Sequence, residues 1–572
     1  MTSLPYFTFQ IGGLAGQGIK SIGLMFSKIA VRSGYWTYNH NEYPSLIRGG
    51  HNVMHITVAD QKITAGAMHT DFLVALNQET VNLHTPKMQS GSAVLYDTQG
   101  GIDTSPIPPG IDLFAVPTSS LAKASGGTEL MENIVALGAA MALLSGNLEI
   151  LNDLIKEEFA DKDPGVTASN LKAAFAGYNF AKENFSSKIR ISLTPKDQPE
   201  TKIVVNANDT VGLASVAAGV QFVAIYPMTP VTGLLHTLAP LQEQFHFIYK
   251  QPEDEISAIN MAIGASYAGA RSMTATSGGG FCLMTESIGL AGMTETPLVI
   301  IEGMRAGPAT GLPTWSEQSD LRLVLHGHGG EIPNIVLAAG DPEEAFHLTM
   351  EAFNLAEIYQ TPVIVLIDKL ICEDDQSYRP FNSGDYQINR GRLTTQKVDR
   401  YLRYQLSPDG ISPRTFPGLD NYYLTNSDEH NELGYDDESA ANRKSQMEKR
   451  MAKLATCTQN HLPAPQLFGP VDADLTIVSW GSNKGAILEA LKSLPYVNYL
   501  HLTWISPFPT DAVSKTLAGA KKILNLETNF TGQMASLISE KTGIVLKNNL
   551  LKYDGRPLYP EEIIDYVKSQ SL

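Results

Sequence analysis

Short runs of β-branched and aromatic residues, each closed by glycine or polar turn residues and followed by apolar residues at helical spacing, recur along nearly the whole chain. That alternation constrains the fold most, because strand, turn and helix in repeated succession build a parallel sheet covered by helices. The N-terminus shows one full period. Tyr6 to Ile11 alternates aromatic and β-branched residues, the loop G-G-L-A-G-Q-G spans Gly12 to Gly18, and Ile19, Ile22, Phe26 and Ile29 then fall on one helical face. A strand, a glycine turn and a helix start present backbone N–H groups and a helix dipole to an anion. The spacing is not G-x-G-x-x-G and no acid stands where a ribose would be held, so a tight packing turn is the commoner explanation.

At 572 residues the chain is too long for one core. Runs at Val53 to Val58, Phe72 to Leu76 and Ser92 to Tyr96 extend a first domain over 1–187, and rising polarity marks a linker over 188–202. A second α/β unit follows over 203–372, with strands expected at Phe222 to Ile225, Ser272 to Thr276, Leu298 to Ile301 and Val363 to Ile367. Residues 373–465 are rich in Asp, Asn, Gly, Pro and Tyr, with one helical pattern near Ser439 to Leu454, and read as an irregular wrapping arm. His430, Glu432, Asp436, Asp437 and Glu438 within it match no metal-ligand spacing, and a solvated loop is expected. A third α/β unit over 466–572 carries strands at Leu475 to Ser479, Val497 to Leu502 and Lys522 to Glu527, and a helix through Ile487 to Leu491. The expected fold class is α/β, with three doubly wound parallel-sheet domains.

Charge excludes one class of partner. Forty-two basic against 59 acidic side chains leave a net charge of -17, where phosphate backbones demand clustered Lys and Arg, so no nucleic acid is expected. A small acidic substrate stays open, since one local Arg holds a carboxylate against an unfavourable global field. No basic region precedes Lys20, and Gly12, Gly13 and Gly16 break the first apolar run, which does not read as a signal peptide. The longest apolar stretch, Ile134 to Leu144, falls short of the roughly 20 residues a bilayer requires. A cytoplasmic protein without a membrane partner is expected. Cys282, Cys372 and Cys457 stand far apart, which fits a reducing compartment and does not supply the thiolates of an iron–sulfur cluster.

The densest chemistry lies between Tyr226 and Asp320. There a Y-P-M-T-P turn, three acids at a helix start (Glu253, Asp254, Glu255), a T-S-G-G-G-F loop and an R-A-G-P-A-T-G loop follow one another. Read residue by residue, the acids complement a helix dipole, Thr229 is a turn residue between two prolines, and Arg305 is a surface cation beside a loop. A packed interior face follows Glu255, with Ile256, Ile259, Ile263 and the small Ala258, Ala262, Gly264, Ala265, Ala268 and Gly269.

Five motifs in order carry a resemblance: Tyr226 to Pro230, E-D-E-I-S-A-I-N-M-A-I-G-A-S at Glu253 to Ser266, Thr274 to Phe281, L-M-T-E-S-I-G-L-A at Leu283 to Ala291, and R-A-G-P-A-T-G-L-P-T at Arg305 to Thr314. Together they resemble the alpha subunits of 2-oxoacid:ferredoxin oxidoreductases. The G-G-L-A-G-Q-G start and Y-P-S-L-I-R-G-G-H at Tyr43 to His51 resemble the family's gamma part, fused ahead of alpha. W-G-S at Trp480 to Ser482 and E-T-N-F-T-G-Q at Glu527 to Gln533 resemble its C-terminal domain. The resemblance therefore implies a gamma domain, a thiamine-diphosphate pyrimidine-binding domain and a transketolase C-terminal-like domain.

It also implies roles. The glutamate that hydrogen-bonds the thiamine aminopyrimidine falls on Glu255, with Tyr226 and Pro227 beside the cofactor. The threonine facing the substrate carbonyl or carboxylate falls on Thr229, and the arginine clamping the 2-oxoacid carboxylate falls on Arg305. Gly18, Lys20 and Ser21 fall where the gamma part meets coenzyme A. Departures are Met228 for Ile, Gly279 for Pro, Cys282 for Ser and Ala309 for Ser. The superfamily's G-D-G diphosphate loop has no counterpart, since the G-D pairs here are Gly340-Asp341-Pro342 and Gly384-Asp385-Tyr386. Magnesium, the diphosphate grip and a [4Fe-4S] cluster are thus expected on a separate beta subunit, with ferredoxin as electron acceptor and a dimer of alpha-beta heterodimers as the assembly. The implied reaction is coenzyme-A-dependent oxidative decarboxylation of a 2-oxoacid, foremost 2-oxoglutarate, reversible as carbon dioxide fixation. Alternatives are a pyruvate or branched-chain 2-oxoacid enzyme, a ferredoxin-independent thiamine enzyme, or a non-catalytic scaffold.

Overall fold

The alternating run at the N-terminus becomes β1 (Tyr6–Leu14), a nine-residue strand buried on both faces. In the computed structural model, which describes residues 6–46, 49–185, 192–384 and 386–570, β1 sits inside an eight-stranded sheet. Ile47 and Arg48 of the Y-P-S-L-I-R-G-G-H motif, residues 188–191 of the expected linker, and Asp385 of the second G-D pair lie outside the described residues. The other strands are β2 (Trp36–Glu42), β3 (His51–Ala59), β4 (Phe72–Ala75), β5 (Ala93–Asp97), β6 (Asp112–Val116), β7 (Ile203–Val205) and the late strand Gln376–Tyr378. Their order is β6-β5-β4-β1-β3-β2, then Gln376–Tyr378, then β7. From β6 to β1 neighbours run parallel; from β1 onward every pair is antiparallel. Strand direction is a long-range property, so the run Val53 to Val58 announced β3 but not this reversal, and β2 was not read from the sequence.

This sheet belongs to a first compact unit that extends to Val205 and takes in Asp374–Phe381 and Tyr559–Glu561. Its core is aromatic where β1 meets the first helix, with Phe9 stacked on Phe26 at 3.8 Å and on Phe72 at 5.8 Å. The long apolar stretch is the buried helix Glu132–Leu143, crossed by the helix Pro164–Phe185. Gly138 and Gly177 are their contact points: a methyl group on either would run into backbone of the facing helix, at Ala174 and Val135. No helix among the described residues is long and apolar enough to cross a membrane.

The second unit comprises Asn206–Glu373, Asn382–Leu558 and Glu562–Leu572. Its larger sheet uses β8 (Phe222–Ala224), β9 (Ile248–Lys250), β10 (Ser272–Thr276), β11 (Leu298–Met304), β12 (Ile335–Ala338) and β13 (Pro362–Asp368), in the order β12-β13-β11-β10-β8-β9, all parallel. Trp504–Ser506 joins antiparallel at the β12 edge. A five-stranded sheet, parallel except for Gln466–Phe468, is built from the C-terminal segment and includes Leu475–Trp480, Val497–Leu502 and Ile523–Glu527. Both sheets feed one core, in which Phe281, Met284, Ile300 and Leu366 share a cluster with Trp480, Leu502, Met534 and Ile538. The α/β class with parallel-dominated sheets is what the alternating runs implied.

Between Asn382 and Ser439 the chain has almost no regular structure, and it then forms the helix Ala440–Asn460. Two buried glutamates bind this stretch. Glu295 receives the ammonium groups of Lys449 and of Lys453, the latter at 2.7 Å, while Arg403 donates to its backbone carbonyl at 2.7 Å. Glu357 meets Arg271 at 2.8 Å, Arg414 at 2.8 Å and Arg390 at 2.6 Å. In this low-dielectric setting each acid leaves several uncompensated cations if removed, a loss of about 3–5 kcal/mol for a broken buried pair. Glu295→Ala should therefore lower the unfolding free energy measured in urea by that amount, with proteolysis starting in 440–460. A loss under about 1 kcal/mol, the level of an exposed pair, would mean that this cluster does not hold the helix.

Candidate functional site

In a parallel sheet all carboxyl ends lie on one edge, and the loops leaving that edge are where ligands are held. Three adjacent strands, β8, β10 and β11, end there in the three motifs. After β8 comes the turn Tyr226 to Pro230; after β10, Ser277 and the helix Gly278–Met293; after β11, Arg305. The turn and the arginine touch, since the Arg305 guanidinium donates to the Thr229 carbonyl at 2.8 Å. The Thr229-Pro230 peptide is cis. Gly303 of β11 makes room for the turn, because a methyl group there would lie 2.6 Å from Val231 and 3.1 Å from Pro230. Tyr226, Pro227 and Thr229 stay half-buried beside that contact.

Glu255 is the first residue of the helix Glu255–Tyr267. The cap is its neighbour, Asp254, whose carboxylate accepts the Ser257 N–H at 2.7 Å. Capping is thus done by Asp254, and Glu255 turns inward, 3% exposed, with Oε1 buried and unpartnered among the described residues. A buried carboxyl oxygen without a donor costs free energy unless something supplies one. That oxygen lies 2.6 Å from where a methyl group on Gly280 would stand. The glycine run of the T-S-G-G-G-F loop is therefore the floor on which Glu255 rests. This arrangement fits an aminopyrimidine ring, whose edge offers a donor to such an oxygen.

Arg305 is half-buried; burial lowers its pKa, and Asp320 and Glu302 oppose the shift. Neither acid was singled out from the residues. Glu302 is fully buried at the end of β11, and burial together with Asp320 and Asp368 drives its pKa far up. Burial raises Asp320 to about 6 and Asp368 to about 6. The one signal in the sequence was an acid directly after the apolar run Leu298 to Ile301.

Gly18, Lys20 and Ser21 come together in the first unit at the start of the helix Ile19–Arg32. Gly18 takes φ 70°, no side chain caps the helix, and no acid occupies its first turn. Lys20 and Ser21 are exposed. Asn133 fixes the loop by donating to the Gln17 carbonyl at 2.7 Å. Beneath it runs a polar seam invisible to sequence spacing. Gln10 Nε2 reaches His84 Nδ1 at 2.8 Å and His55 Nε2 at 3.1 Å, and His84 Nε2 meets His51 Nε2 at 2.8 Å. Since the Gln10 amide donates to His84 Nδ1, the proton of His84 sits on Nε2 and is given to His51. Burial pushes His55 down to about 4 and His84 to about 3, so the seam is neutral.

The remaining candidates are spent locally. Asp341 caps the helix Pro342–Tyr359 through the Glu344 N–H at 2.8 Å and pairs with Lys484 at 2.5 Å. His430 is buried against Tyr404 and shares a hydrogen bond with the Asp428 carbonyl at 2.8 Å. Glu432 accepts the Leu406 N–H and Asp437 the Ser439 N–H.

Two family models match: pyruvate flavodoxin/ferredoxin oxidoreductase, thiamine diphosphate-binding, over residues 213–450, and pyruvate ferredoxin/flavodoxin oxidoreductase over residues 8–180. The alpha subunit of a Sulfolobus 2-oxoacid:ferredoxin oxidoreductase is 32% identical, covering 97% of this chain and 95% of its own. The chain belongs to the 2-oxoacid:ferredoxin oxidoreductase alpha-subunit family. Subunit KorA of a Mycobacterium tuberculosis 2-oxoglutarate oxidoreductase is 29% identical over 99% of this chain and 92% of its own. The structure of a 2-oxoglutarate:ferredoxin oxidoreductase from Magnetococcus marinus, with 2-oxoglutarate, coenzyme A and succinyl-CoA bound, superposes over 100% of both chains at 32% identity and a TM-score of 0.93. As an alpha subunit of this family the chain is part of an oxidoreductase that includes a partner subunit, and it carries a thiamine-diphosphate-binding domain.

Gly280→Ala tests the floor under Glu255. The added methyl group would lie 2.0 Å from Thr276 Oγ1 and 2.6 Å from Glu255 Oε1, so both buried side chains must shift. A carboxyl displacement near 1 Å should cost turnover about 100-fold, with an overpacking loss of about 1–3 kcal/mol in stability. Unchanged turnover would show that the carboxyl position does not matter.

Proposed function

We propose that this chain is the gamma-alpha fused subunit of a 2-oxoglutarate:ferredoxin oxidoreductase, which converts the 2-oxoacid and coenzyme A to acyl-CoA and carbon dioxide with electrons passed to ferredoxin. The observation that carries the reading is the buried, unpartnered Glu255 oxygen on the glycine floor, on the edge where Arg305 is bonded to the Thr229 turn. Thiamine diphosphate, when bound, supplies the carbanion chemistry that decarboxylation requires. Glu255 would hold the aminopyrimidine edge through its buried Oε1, placed as a general acid-base group requires. Tyr226 and Pro227 shape the wall of the ring site. Arg305 binds the substrate carboxylate through a charge-assisted pair, and the Thr229 hydroxyl faces the carbonyl or carboxylate.

Coenzyme A meets the helix start at Gly18, Lys20 and Ser21, where an uncapped N-terminus, an exposed ammonium and the absence of first-turn acids favour phosphate. The partner beta subunit supplies the diphosphate grip with magnesium and the [4Fe-4S] cluster, and the assembly is a dimer of heterodimers. The choice of 2-oxoglutarate is supported by the Mycobacterium relative and the Magnetococcus complex; pyruvate is the second reading, supported by the family descriptions.

Glu255→Gln should lower turnover about 1000-fold, within the range of a lost acid-base group, with the alpha-beta complex still assembling. Coenzyme-A-dependent viologen reduction by the complex, compared across 2-oxoglutarate, pyruvate and 2-oxoisovalerate, should be highest with 2-oxoglutarate. Near-normal turnover of the variant would remove Glu255 from its role, and a preference for pyruvate would change the substrate. Lys20→Ala should raise KM for coenzyme A about tenfold, the worth of one charge-assisted hydrogen bond, and leave KM for the 2-oxoacid alone.

A further inference from the structure

The turn that carries Thr229 is held by a buried amide that the reading above leaves unused. Asn208 lies in the first turn of the helix Ala207–Ala217 and is 3% exposed. Its Nδ2 donates to the Pro230 carbonyl at 2.9 Å and to the Cys372 carbonyl at 2.8 Å. Pro230 closes the turn after β8, and Cys372 belongs to the short helix Lys369–Glu373 that follows β13. One side chain therefore fastens the turn to the chain leaving another strand of the same sheet. The helix Thr232–Phe245 seats it, because a methyl group on Gly233 would lie 2.6 Å from Asn208 Nδ2 and 3.1 Å from its Cβ and Cγ. The backbone beneath is fixed as well. Asn206 caps the helix by accepting the Asp209 N–H at 3.1 Å, and the Asp209 carboxylate accepts the Thr237 hydroxyl at 3.1 Å.

The amide oxygen of Asn208 is buried and has no donor among the described residues. Turning the amide over would set that oxygen against two carbonyl oxygens, so the carbonyls decide its orientation. An acceptor left unmet is unfavourable, and here it accompanies the arrangement in which both carbonyls are met. Two N–H donors on so short a stem are what asparagine alone offers; leucine and ionised aspartate fill a similar volume with none, and glutamine carries its donors one methylene further out. The carbonyl just before the one that Asn208 holds, that of Thr229, receives the Arg305 guanidinium at 2.8 Å. Consecutive carbonyls of one turn are thus bonded to Asn208 and to Arg305.

We propose that Asn208 is the positioning residue for the Thr229 turn and, through it, for Arg305: by holding the Pro230 carbonyl it fixes the Thr229 carbonyl that aims the guanidinium at the 2-oxoacid carboxylate. This deepens the reading of Arg305 as the carboxylate clamp and rests on it. Without the amide the turn is no longer tied to Cys372, two buried carbonyls lose their donor, and the guanidinium loses the fixed acceptor that orients it. Affinity for the 2-oxoacid then falls. Coenzyme A, met at Gly18, Lys20 and Ser21 of the first unit, is bound as before.

The test is steady-state viologen reduction by the complex with the partner subunit, with KM measured separately for the 2-oxoacid and for coenzyme A. Asn208→Leu should raise KM for the 2-oxoacid about tenfold, the worth of one to two hydrogen bonds, and leave KM for coenzyme A unchanged. The same substitution in an Arg305→Ala background should raise it no further, because the group that Asn208 aims is gone. Asn208→Asp keeps the size of the side chain and, when protonated, one donor; burial against two carbonyls favours that protonated form. Relative to the parent, its KM for the 2-oxoacid should therefore be close at low pH and climb as pH rises through the loss of the proton, while that of Asn208→Leu stays high throughout. An unchanged KM for the 2-oxoacid in both variants, an equal rise in both KM values, or a further tenfold rise in the Arg305→Ala background overturns the proposal. Arg305→Ala alone separates the two failures: an unchanged KM there removes the clamp and the proposal with it, whereas a raised KM there with unchanged Asn208 variants removes only the positioning. If Asn208→Leu fails to assemble, Asn208→Asp decides, since a KM ratio that does not move with pH overturns the role of the donor.

Discussion

The geometry of the site depends on how one side chain, Gln318, ties the loop after β11 to the C-terminal sheet. Its amide donates to the Trp480 carbonyl at 2.9 Å, and its Oε1 accepts from Asn483 at 2.7 Å and from the Thr528 N–H at 3.2 Å. Its backbone N–H donates to the Thr528 carbonyl at 2.8 Å, and its carbonyl accepts from Asn529 at 3.1 Å. Every polar atom of this buried residue is satisfied, which makes the junction rigid. The loop it ends carries Arg305 at its start and Asp320 just past its close. The W-G-S and E-T-N-F-T-G-Q segments, far from the glycine loop in sequence, thus set where the arginine and the acid stand.

Two buried glutamates show how context decides what an acid does. Glu527 collects five donors: the Trp480 indole, the amides of Asn525 and Asn529, and the N–H groups of Met534 and Ala535. A carboxylate bonded by five donors serves to fix its surroundings. Glu302 is as deeply buried and collects none. The same residue type at the end of a parallel strand is bonded on every side in one sheet and left without a donor among the described residues in the other. Sequence shows both only as an acid after an apolar run.

This marks the limit of legibility. Ser272–Thr276 and Val497–Leu502 form strands over the residues expected, because short runs rich in apolar and β-branched residues closed by turns suit a buried parallel strand even where Ser, Thr, Asn or His interrupts them. Glu255 was placed through its motif, and local rules explain only its neighbour: Asp254 is the cap, whereas the inward turn of Glu255 depends on Gly280 across the helix pair. The irregular stretch up to Ser439 showed no pattern because its order comes from Glu295 and Glu357, acids distant in sequence from the cations they bind. The reversal of direction at β1 and β3 and the histidine seam under the glycine loop are likewise products of pairing, and pairing partners are not written in spacing.

The glycine run itself carries the final step. None of Gly278, Gly279 and Gly280 has a positive φ, so no backbone conformation demands glycine at these places. Space does. A side chain at Gly278 meets Asp320, and one at Gly280 meets Thr276 and Glu255, so two carboxyls distant in sequence are seated against one helical turn by the absence of two methyl groups. At Gly279 the nearest atom a methyl group would find is the Ala309 carbonyl oxygen at 3.9 Å. That position is the second of the helix and faces open space, where the ring of a proline is tolerated within a first turn.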